Sequence, residues 1–252
     1  MSVVDRAYGL GRSLWLYYGG WGAAARLDRF YRPFVPVNAL CFDIGAHVGS
    51  RSRCWSRLGA RVVAVEPQPD FARLLRWLFR RDPRVTILER AVGSRRGTIE
   101  LLVSPRTPTV TTGSRRFVDE ASRVPSFSWV RWEARLQVPI TTLDALIATY
   151  GVPDFVKIDV EGMEHEVLAG LSHPLPAVSL EFVPSTLASA LASIERLERL
   201  GPYRFNVSLG EGLSLELIDW VDATAIRAWL VARDAESDSG DVYARLDQTN
   251  PA

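Results

Sequence analysis

The chain has 252 residues, 47% hydrophobic and 23% charged, which fits one large or two small globular domains and excludes a largely disordered protein. Thirty basic and 29 acidic residues give a formal charge of +1, so we expect no nucleic-acid partner that relies on a broad basic surface. Two cysteines, Cys41 and Cys54, are too few for a disulfide scaffold and lack the spacing of a zinc site, which favours a reducing, cytoplasmic location.

Residues 1–37 form a segment in which aromatic residues and arginines are mixed. Helix-breaking residues divide it: Gly19, Gly20, Gly22, Pro33 and Pro36. We predict an N-terminal extension of one or two short helices packed on the outside of a core. The composition also suits a peripheral contact with a membrane surface. The longest uncharged stretch of this segment, residues 13–25, is shorter than the ~20 apolar residues of a membrane span, and no signal-peptide pattern precedes it.

From residue 40 the chain alternates strand and helix patterns. Short apolar runs that end at turn residues predict buried parallel strands at 40–44, 61–65 and 85–88. Apolar residues at helical spacing predict helices at 50–58 and 70–81. Strand, helix, strand, helix, strand within about 50 residues is the repeating unit of an open parallel sheet.

The second half of the chain resumes this pattern after an interruption. A strand is predicted at 98–103, and residues 104–136 are then rich in Pro, Ser, Thr and Arg. A loop of this length in a compact domain is usually functional or disordered, and we predict a lid or acceptor-binding loop. Arg115, Arg116, Trp129 and Trp132 are the residues of this loop that could cover an acceptor. Further elements are predicted at 154–158, 177–180, 186–200, 203–209, 223–232 and 242–246, which gives one α/β domain over residues 38–246 and a frayed tail at 247–252.

The first chemically informative motif follows the first strand and contains Asp43, Gly45, His47 and Gly49. Glycines there let the backbone turn sharply and let a ligand approach the main chain. A dinucleotide site usually has Gly-x-Gly-x-x-Gly, whereas this chain has Gly-x-x-x-Gly preceded by an aspartate. Because a carboxylate would repel a pyrophosphate, the motif favours a ligand with ammonium and sulfonium groups, as in S-adenosylmethionine.

Glu66 ends the second predicted strand and is followed by Pro67. An acidic side chain at this point can accept hydrogen bonds from both hydroxyls of a ribose. NAD and S-adenosylmethionine share that contact, so Glu66 indicates a nucleoside without identifying the cofactor. Ala91 follows the third strand, where the adenine ring would lie if the ribose contacts Glu66.

The second motif, Lys157-Ile-Asp159-Val-Glu161-Gly, begins on a buried strand and runs into a turn. Ionisable groups are seldom placed in a buried strand unless they are paired. Lys157 is the only lysine among the 30 basic residues. The motif therefore indicates either a structural ion pair or a reaction centre at the mouth of the sheet, where close charges shift pKa values.

These motifs together resemble FkbM-type methyltransferases. The resemblance covers residues 40–182 and rests on five segments in the family's order: Phe42-Asp-Ile-Gly-Ala-His-Val-Gly49, Val65-Glu-Pro67, Ala91-Val-Gly93, Thr142-Leu-Asp144 and Lys157-Ile-Asp-Val-Glu-Gly162. It implies a Rossmann-like α/β fold, an open sheet of about seven mostly parallel strands with helices on both faces. His47 is a departure, since the family usually has asparagine there.

The resemblance also implies a function, the transfer of a methyl group from S-adenosyl-L-methionine to a hydroxyl of a sugar, glycolipid or polyketide-like natural product. Two alternatives stay open at this point. One is a nucleoside-binding module that performs no chemistry, and the other is an NAD-dependent enzyme on a similar sheet. The oligomeric state is also open, and a homo-oligomer is compatible with the sequence.

Methylation of an alcohol requires removal of the hydroxyl proton, which a carboxylate or histidine within reach can accept. We predict Asp159 as this base, Glu161 as the second choice, and Lys157 as the group that orients the substrate oxygen. Alternatively, Glu164, His165, Glu166 and Glu181 could join Asp159 around a divalent cation such as magnesium, which prefers oxygen ligands. No two-histidine spacing supports a transition-metal site.

Overall fold

The structure is a computed structural model that describes residues 3–18, 22–234 and 237–247. The strands in these ranges are β1 (Leu40–Ile44), β2 (Arg61–Val65), β3 (Val85–Leu88), β4 (Ala91–Val92), β5 (Gly97–Val103), β6 (Ala134–Thr141), β7 (Phe155–Ile158), β8 (Ala177–Phe182), β9 (Tyr203–Leu209) and β10 (Gly240–Leu246). The α-helices are α1 (Val3–Tyr18), α2 (Ala23–Tyr31), α3 (Ser50–Arg57), α4 (Pro69–Leu78), α5 (Arg115–Ala121), α6 (Leu143–Tyr150), α7 (Glu164–Ala169), α8 (Ala188–Leu200) and α9 (Ala223–Val231).

The main sheet has seven strands in the order β3-β2-β1-β7-β8-β10-β9. The first five are mutually parallel, and β10 runs antiparallel to both β8 and β9. The predicted open, mostly parallel sheet is therefore confirmed. The chain order reverses next to β1, and ligands of open α/β sheets bind outside the carboxyl ends of the strands at such a point.

Helices cover both faces of this sheet, as predicted. Successive side chains of a strand point to opposite faces, and in β1 Phe42 belongs to one buried cluster and Cys41 to the other. The first cluster includes Leu143 of α6 and Ile194 of α8. The second includes Trp55 of α3, which is fully buried.

A second, three-stranded sheet in the order β4-β6-β5 was not predicted. Strand β6 alternates exposed and partly buried residues and contains Pro139, so it lacks the apolar run of a buried strand. The prediction of a single loop over residues 104–136 is wrong. That segment contains helix α5, the start of β6, and 3₁₀ turns at Pro108–Val110 and Pro125–Phe127.

The N-terminal extension contains two helices that pack against the rest of the domain. Helix α2 buries Leu27 and Tyr31 in the second core cluster, whereas Ala24, Ala25 and Arg29 are exposed, so this helix packs against the core through one face. Helix α1 has 16 residues and lies against residues 105–108. Gly19, Gly20 and the tail residues 248–252 lie outside the described residues. In the described part of the chain, no helix has the length and apolar character that crossing a membrane requires.

Candidate functional site

Three cavities open at the carboxyl ends of β1, β2 and β7. One of them, the main cavity, is lined by most of the predicted site residues: Gly45, His47, Glu66, Pro67, Ala91, Asp159 and Glu161. A smaller polar pocket contains the remaining predicted charged residues, Asp43 and Lys157, together with Arg51 and Glu211. An outer groove lies between helix α1 and the 124–130 segment.

Glu66 is held at the end of β2 with both carboxylate oxygens engaged by the backbone. The amide of His47 donates to Oε2 at 2.9 Å, and the amide of Gln68 donates to Oε1 at 2.8 Å. Burial raises the pKa of Glu66 to about 7, against the lowering effect of these two donors. Each carboxylate oxygen can accept a further bond, which leaves Glu66 able to bind two hydroxyls.

His47 combines an unusual backbone with an unpaired ring nitrogen. Its φ of 49° lies in the left-handed region, which is uncommon outside glycine and asparagine. Its ring lies 4.4 Å from that of Phe71 between centroids, and burial lowers the pKa of His47 to about 4. Nε2 is buried and has no hydrogen-bond partner among the described residues. A neutral imidazole with an open nitrogen in a cavity fits a polar ligand.

The glycines of the loop after β1 are required by the packing of the chain itself. A Cβ at Gly45 would lie 1.9 Å from the carbonyl oxygen of Asp159, so the loop abuts the end of β7 directly. A Cβ at Gly49 would meet the side chain of Leu75 at 2.6 Å. Both glycines also have positive φ values, 85° and 74°. The loop therefore has no room for a larger residue at position 45 or 49.

Asp43 is used by the protein in a way that the sequence does not reveal. It is 3% exposed and accepts hydrogen bonds from the amide and the hydroxyl of Ser52, in the first turn of α3. Burial raises its pKa, although the Ser52 hydrogen bonds and Lys157 act in the opposite direction. The residue borders the polar pocket and not the main cavity. Its carboxylate therefore fixes the start of α3 beside the pocket.

Lys157 is the centre of an ion-paired group. It is 4% exposed, and its Nζ lies 2.9 Å from Asp159 Oδ2 and 3.1 Å from Asp241 Oδ1. Burial favours the neutral amine, but the two carboxylates outweigh it and raise the pKa of Lys157. The pKa of Asp159 is lowered: burial opposes ionisation, and the charge of Lys157 outweighs it. Asp241 was missed because it lies on β10, far along the chain.

Asp159, Glu161 and Glu181 form a cluster of half-buried carboxylates. One oxygen from each lies within 4.8 Å of the others, a spacing that could hold a metal ion. Burial and the neighbouring carboxylates raise the pKa values of Glu161 and Glu181. Glu161 and Glu181 line both the main cavity and the outer groove, whereas Asp159 lines the main cavity and the polar pocket.

The other residues predicted around a cation, Glu164, His165 and Glu166, do not belong to this cluster. Glu164 is 2% exposed and accepts bonds from the amides of Val160 and Gly162 and from the hydroxyl of Ser189. It therefore stabilises the turn that carries Glu161. His165 contacts Ser189 and Glu166. Of the five residues predicted around a cation, only Asp159 and Glu181 belong to the cluster that the described residues form, and its third member is Glu161.

The aromatic residues of the 104–136 segment divide between two tasks. Trp129 lines the outer groove with Phe127, and Arg12 of α1 lies over its ring at 5.2 Å. Trp132 instead donates from its indole nitrogen to the carbonyl of Val110. Arg115 and Arg116 are exposed and pair with Glu100 and Glu120. Of the four residues proposed to cover an acceptor, Trp129 alone lines one of the three cavities described above.

Comparison with known proteins identifies the class. The sequence model of the family described as "Methyltransferase FkbM domain" matches residues 43–206, more than half of the chain. The chain therefore belongs to the FkbM methyltransferase family, a class of S-adenosylmethionine-dependent enzymes. The hexuronic acid methyltransferase AglP of Haloferax volcanii is 30% identical over 145 residues, 56% of this chain and 54% of AglP. The chain thus spans about half the length of this curated relative.

Several solved structures are also similar. A precorrin-6y C5,15-methyltransferase from Geobacter metallireducens GS-15 has 17% identity and a TM-score of 0.45, with 89% of this chain and 86% of that chain covered. A putative O-methyltransferase from Klebsiella pneumoniae has 11% identity and a TM-score of 0.48, with 94% and 89% covered. An O-methyltransferase from Bacillus cereus, solved in complex with SAH, has 12% identity and a TM-score of 0.44, with 95% and 90% covered.

Proposed function

We propose that this methyltransferase transfers the methyl group of S-adenosylmethionine to a hydroxyl of a sugar, a glycolipid or a polyketide-like natural product. The observation that carries the proposal is the meeting of the main cavity and the outer groove at Glu161 and Glu181. A cofactor in one space and an acceptor in the other would approach each other beside two carboxylates.

The residues of the main cavity suit the cofactor. Glu66 has an open acceptor position on each oxygen for the ribose hydroxyls, and the unpaired Nε2 of His47 can bond to a polar group. Pro67 and Ala91 border the space beyond Glu66, where an adenine ring would lie. When bound, S-adenosylmethionine supplies an electrophilic methyl group on a positively charged sulfur.

The polar pocket suits the amino-acid end of the same cofactor. It shares Gly45, His47 and Asp159 with the main cavity, so one elongated ligand can enter both. An α-amino acid carries a carboxylate and an ammonium group. Arg51, whose Nε is buried without a partner among the described residues, can bind the carboxylate, and Asp159 can bind the ammonium group.

The acceptor class is supported by two observations. Trp129 and Phe127 line the outer groove, and aromatic faces suit the apolar faces of sugar rings. The relative AglP is named a hexuronic acid methyltransferase, which is an enzyme of sugar chemistry. Both favour a sugar as the methyl acceptor.

We assign the removal of the acceptor proton to Glu161. Asp159, the base predicted from the sequence, is paired with Lys157 at 2.9 Å and does not line the outer groove. Glu161 lines both spaces, and its raised pKa makes it a stronger base once ionised. Lys157 contacts two carboxylates, so we assign it the task of holding Asp159 in place instead of orienting the substrate oxygen.

A divalent cation is a second arrangement for the same carboxylates. If Asp159, Glu161 and Glu181 bind magnesium, the positive charge of the ion offsets the repulsion between the three carboxylates, which protonation would otherwise relieve. The acceptor hydroxyl would then lose its proton more readily beside the cluster. Chelation separates this arrangement from metal-free proton transfer.

The proposal is tested by methyl transfer itself. The protein is incubated with S-adenosylmethionine carrying a ¹³C methyl group and a panel of acceptors: neutral hexoses, hexuronic acids, glycolipids and polyketide alcohols. The proposal predicts an O-methyl product, which has a characteristic ¹³C chemical shift. Labelling only at carbon or nitrogen would contradict O-methylation. Cofactor binding without transfer to any acceptor would favour a nucleoside-binding module.

A further inference from the structure

Tyr17 of helix α1 lies where the three cavities meet, although no sequence motif marks it. It lines the main cavity, the polar pocket and the outer groove. Its ring meets that of His47 edge-on at 5.4 Å, and the guanidinium carbon of Arg51 lies 5.8 Å from its centroid. The ring therefore contacts residues that border both spaces assigned to the cofactor.

Helix α1 is fixed at its last residue to the loop that supports the main cavity. The hydroxyl of Tyr18 donates to the carbonyl oxygen of Val48 at 2.9 Å. Arg53 of α3 lies over the ring of Tyr18 at 5.6 Å. The end of α1 is thus tied to the segment between Gly45 and Gly49, and Tyr17 next to it is directed into the site.

The same helix is seated at its middle against the 104–136 segment. Gly9 packs so closely that a Cβ there would lie 2.5 Å from the carbonyl oxygen of Pro105 and 2.9 Å from Cδ of Pro108. Gly11 faces open space, with nothing within 4 Å of such an atom. Helix α1 therefore bridges the glycine loop and the segment that borders the outer groove.

We propose that Tyr17 is a positioning residue for the methyl transfer, whose ring covers the main cavity on the side of helix α1 and leaves the cavity open to the outer groove at Glu161 and Glu181. The inference rests on the proposed function. The family match begins at residue 43, so α1 lies outside the matched region. With the ring in place, a cofactor in the main cavity is covered on the side of α1. Covering elements of this kind slow ligand release.

The first test measures the dissociation of tritiated S-adenosylhomocysteine into an excess of unlabelled ligand. Tyr17→Ala should release the ligand about tenfold faster than the parent, because most effects of a lost contact fall on the dissociation rate. Tyr17→Phe keeps the ring and should restore the parental rate. Trp15→Ala removes an aromatic residue of the same helix that is 76% exposed, and it should leave the rate unchanged.

A second pair of variants tests the position of the helix without changing a residue that lines a cavity. The methyl group of Gly9→Ala must shift α1 away from Pro105, whereas that of Gly11→Ala has no atom within 4 Å. Both substitutions favour the helical state to a similar extent, so Gly11→Ala is the matched control. Gly9→Ala should therefore speed release and Gly11→Ala should not. If both Tyr17→Ala and Gly9→Ala release the ligand at the rate of the parent protein, the inference is overturned. The proposed function would still stand in that case, provided that the parent protein binds the ligand and methylates an acceptor. A parent that does not bind the ligand overturns both.

Discussion

The backbone amide of His47 donates to Oε2 of Glu66 at 2.9 Å, so the end of β2 holds the loop that follows β1. One carboxylate thus supports the glycine loop and offers its remaining acceptor positions to the main cavity. We therefore propose that Glu66 both supports the loop and binds the cofactor, and the first two predictions test this proposal.

Glu66→Gln should weaken the binding of S-adenosylhomocysteine by about one to two decades, the loss expected for a charge-assisted hydrogen bond. The substitution should also lower the melting temperature, because the NH₂ group of glutamine cannot accept a hydrogen bond from one of the two backbone amides that now donate to Glu66. Glu89→Gln is the matched control: this residue follows β3, pairs with the exposed Arg76 and borders none of the three cavities. Titration calorimetry of both variants checks the prediction, and equal affinities would contradict it.

Cofactor affinity should depend on pH through the same carboxyl group. The pKa of Glu66 is about 7 in the ligand-free protein, and ribose hydroxyls donate to its ionised form. Binding therefore favours ionisation, and affinity should fall about tenfold per pH unit as the pH decreases below 7. In Glu66→Gln this dependence should disappear. A parent protein whose affinity is the same at pH 6 and pH 8 would show that Glu66 does not contact the ligand as an anion.

Glu161→Gln should lower turnover by about two to four decades with little change in cofactor affinity, the usual effect of losing a general base. In the parent, turnover should rise with pH through the raised pKa of Glu161, because only the ionised form accepts a proton. Glu166→Gln, in the same segment but outside the cavities, is the control. If Asp159→Asn abolishes turnover and Glu161→Gln does not, the proton goes to Asp159, as the sequence alone suggested.

The carboxylate cluster gives a prediction about metal dependence. If Asp159, Glu161 and Glu181 hold magnesium, EDTA should inactivate the protein and added magnesium should restore turnover. Glu181→Gln should then raise the magnesium concentration needed for half-maximal rate. Activity that EDTA leaves unchanged would exclude the cation and leave proton transfer to Glu161 as the explanation of the cluster.

Lys157→Met should destabilise the fold, because it leaves Asp159 and Asp241 without their shared cation. Removal of one partner from a buried ion pair lowers the free energy of unfolding by about 3–5 kcal/mol. Because the Asp159 side chain is 33% exposed and solvent screens its charge, we expect a loss at the lower end, about 3 kcal/mol. Arg227→Ala breaks an exposed pair with Glu198 of similar length and should cost less than about 1 kcal/mol. Urea denaturation compares the two, and equal losses would contradict the assignment of Lys157 to a buried pair.

The sequence predicts the part of the site that follows from local patterns. The bounds of β1, β2 and β3 are as predicted, since each is a short apolar run bounded by turn residues. Parallel strands bring their carboxyl ends to one edge of the sheet, which places Glu66 and Asp159 at one cavity.

The rest of the site depends on contacts between distant parts of the chain. Tyr17 enters it from an N-terminal helix, and Asp241 reaches Lys157 from the antiparallel strand β10. Neither residue belongs to a local pattern. Asp43 resembles a ligand-binding residue in the motif, but its carboxylate is engaged by Ser52, a contact that follows from where α3 begins.

The central claim is that the main cavity and the polar pocket bind S-adenosylmethionine, and titration calorimetry of the parent protein tests it most directly. The account predicts one S-adenosylhomocysteine bound per chain and no heat of binding with NAD at the same concentration. Saturable binding of NAD, or the absence of any binding of S-adenosylhomocysteine, would contradict it.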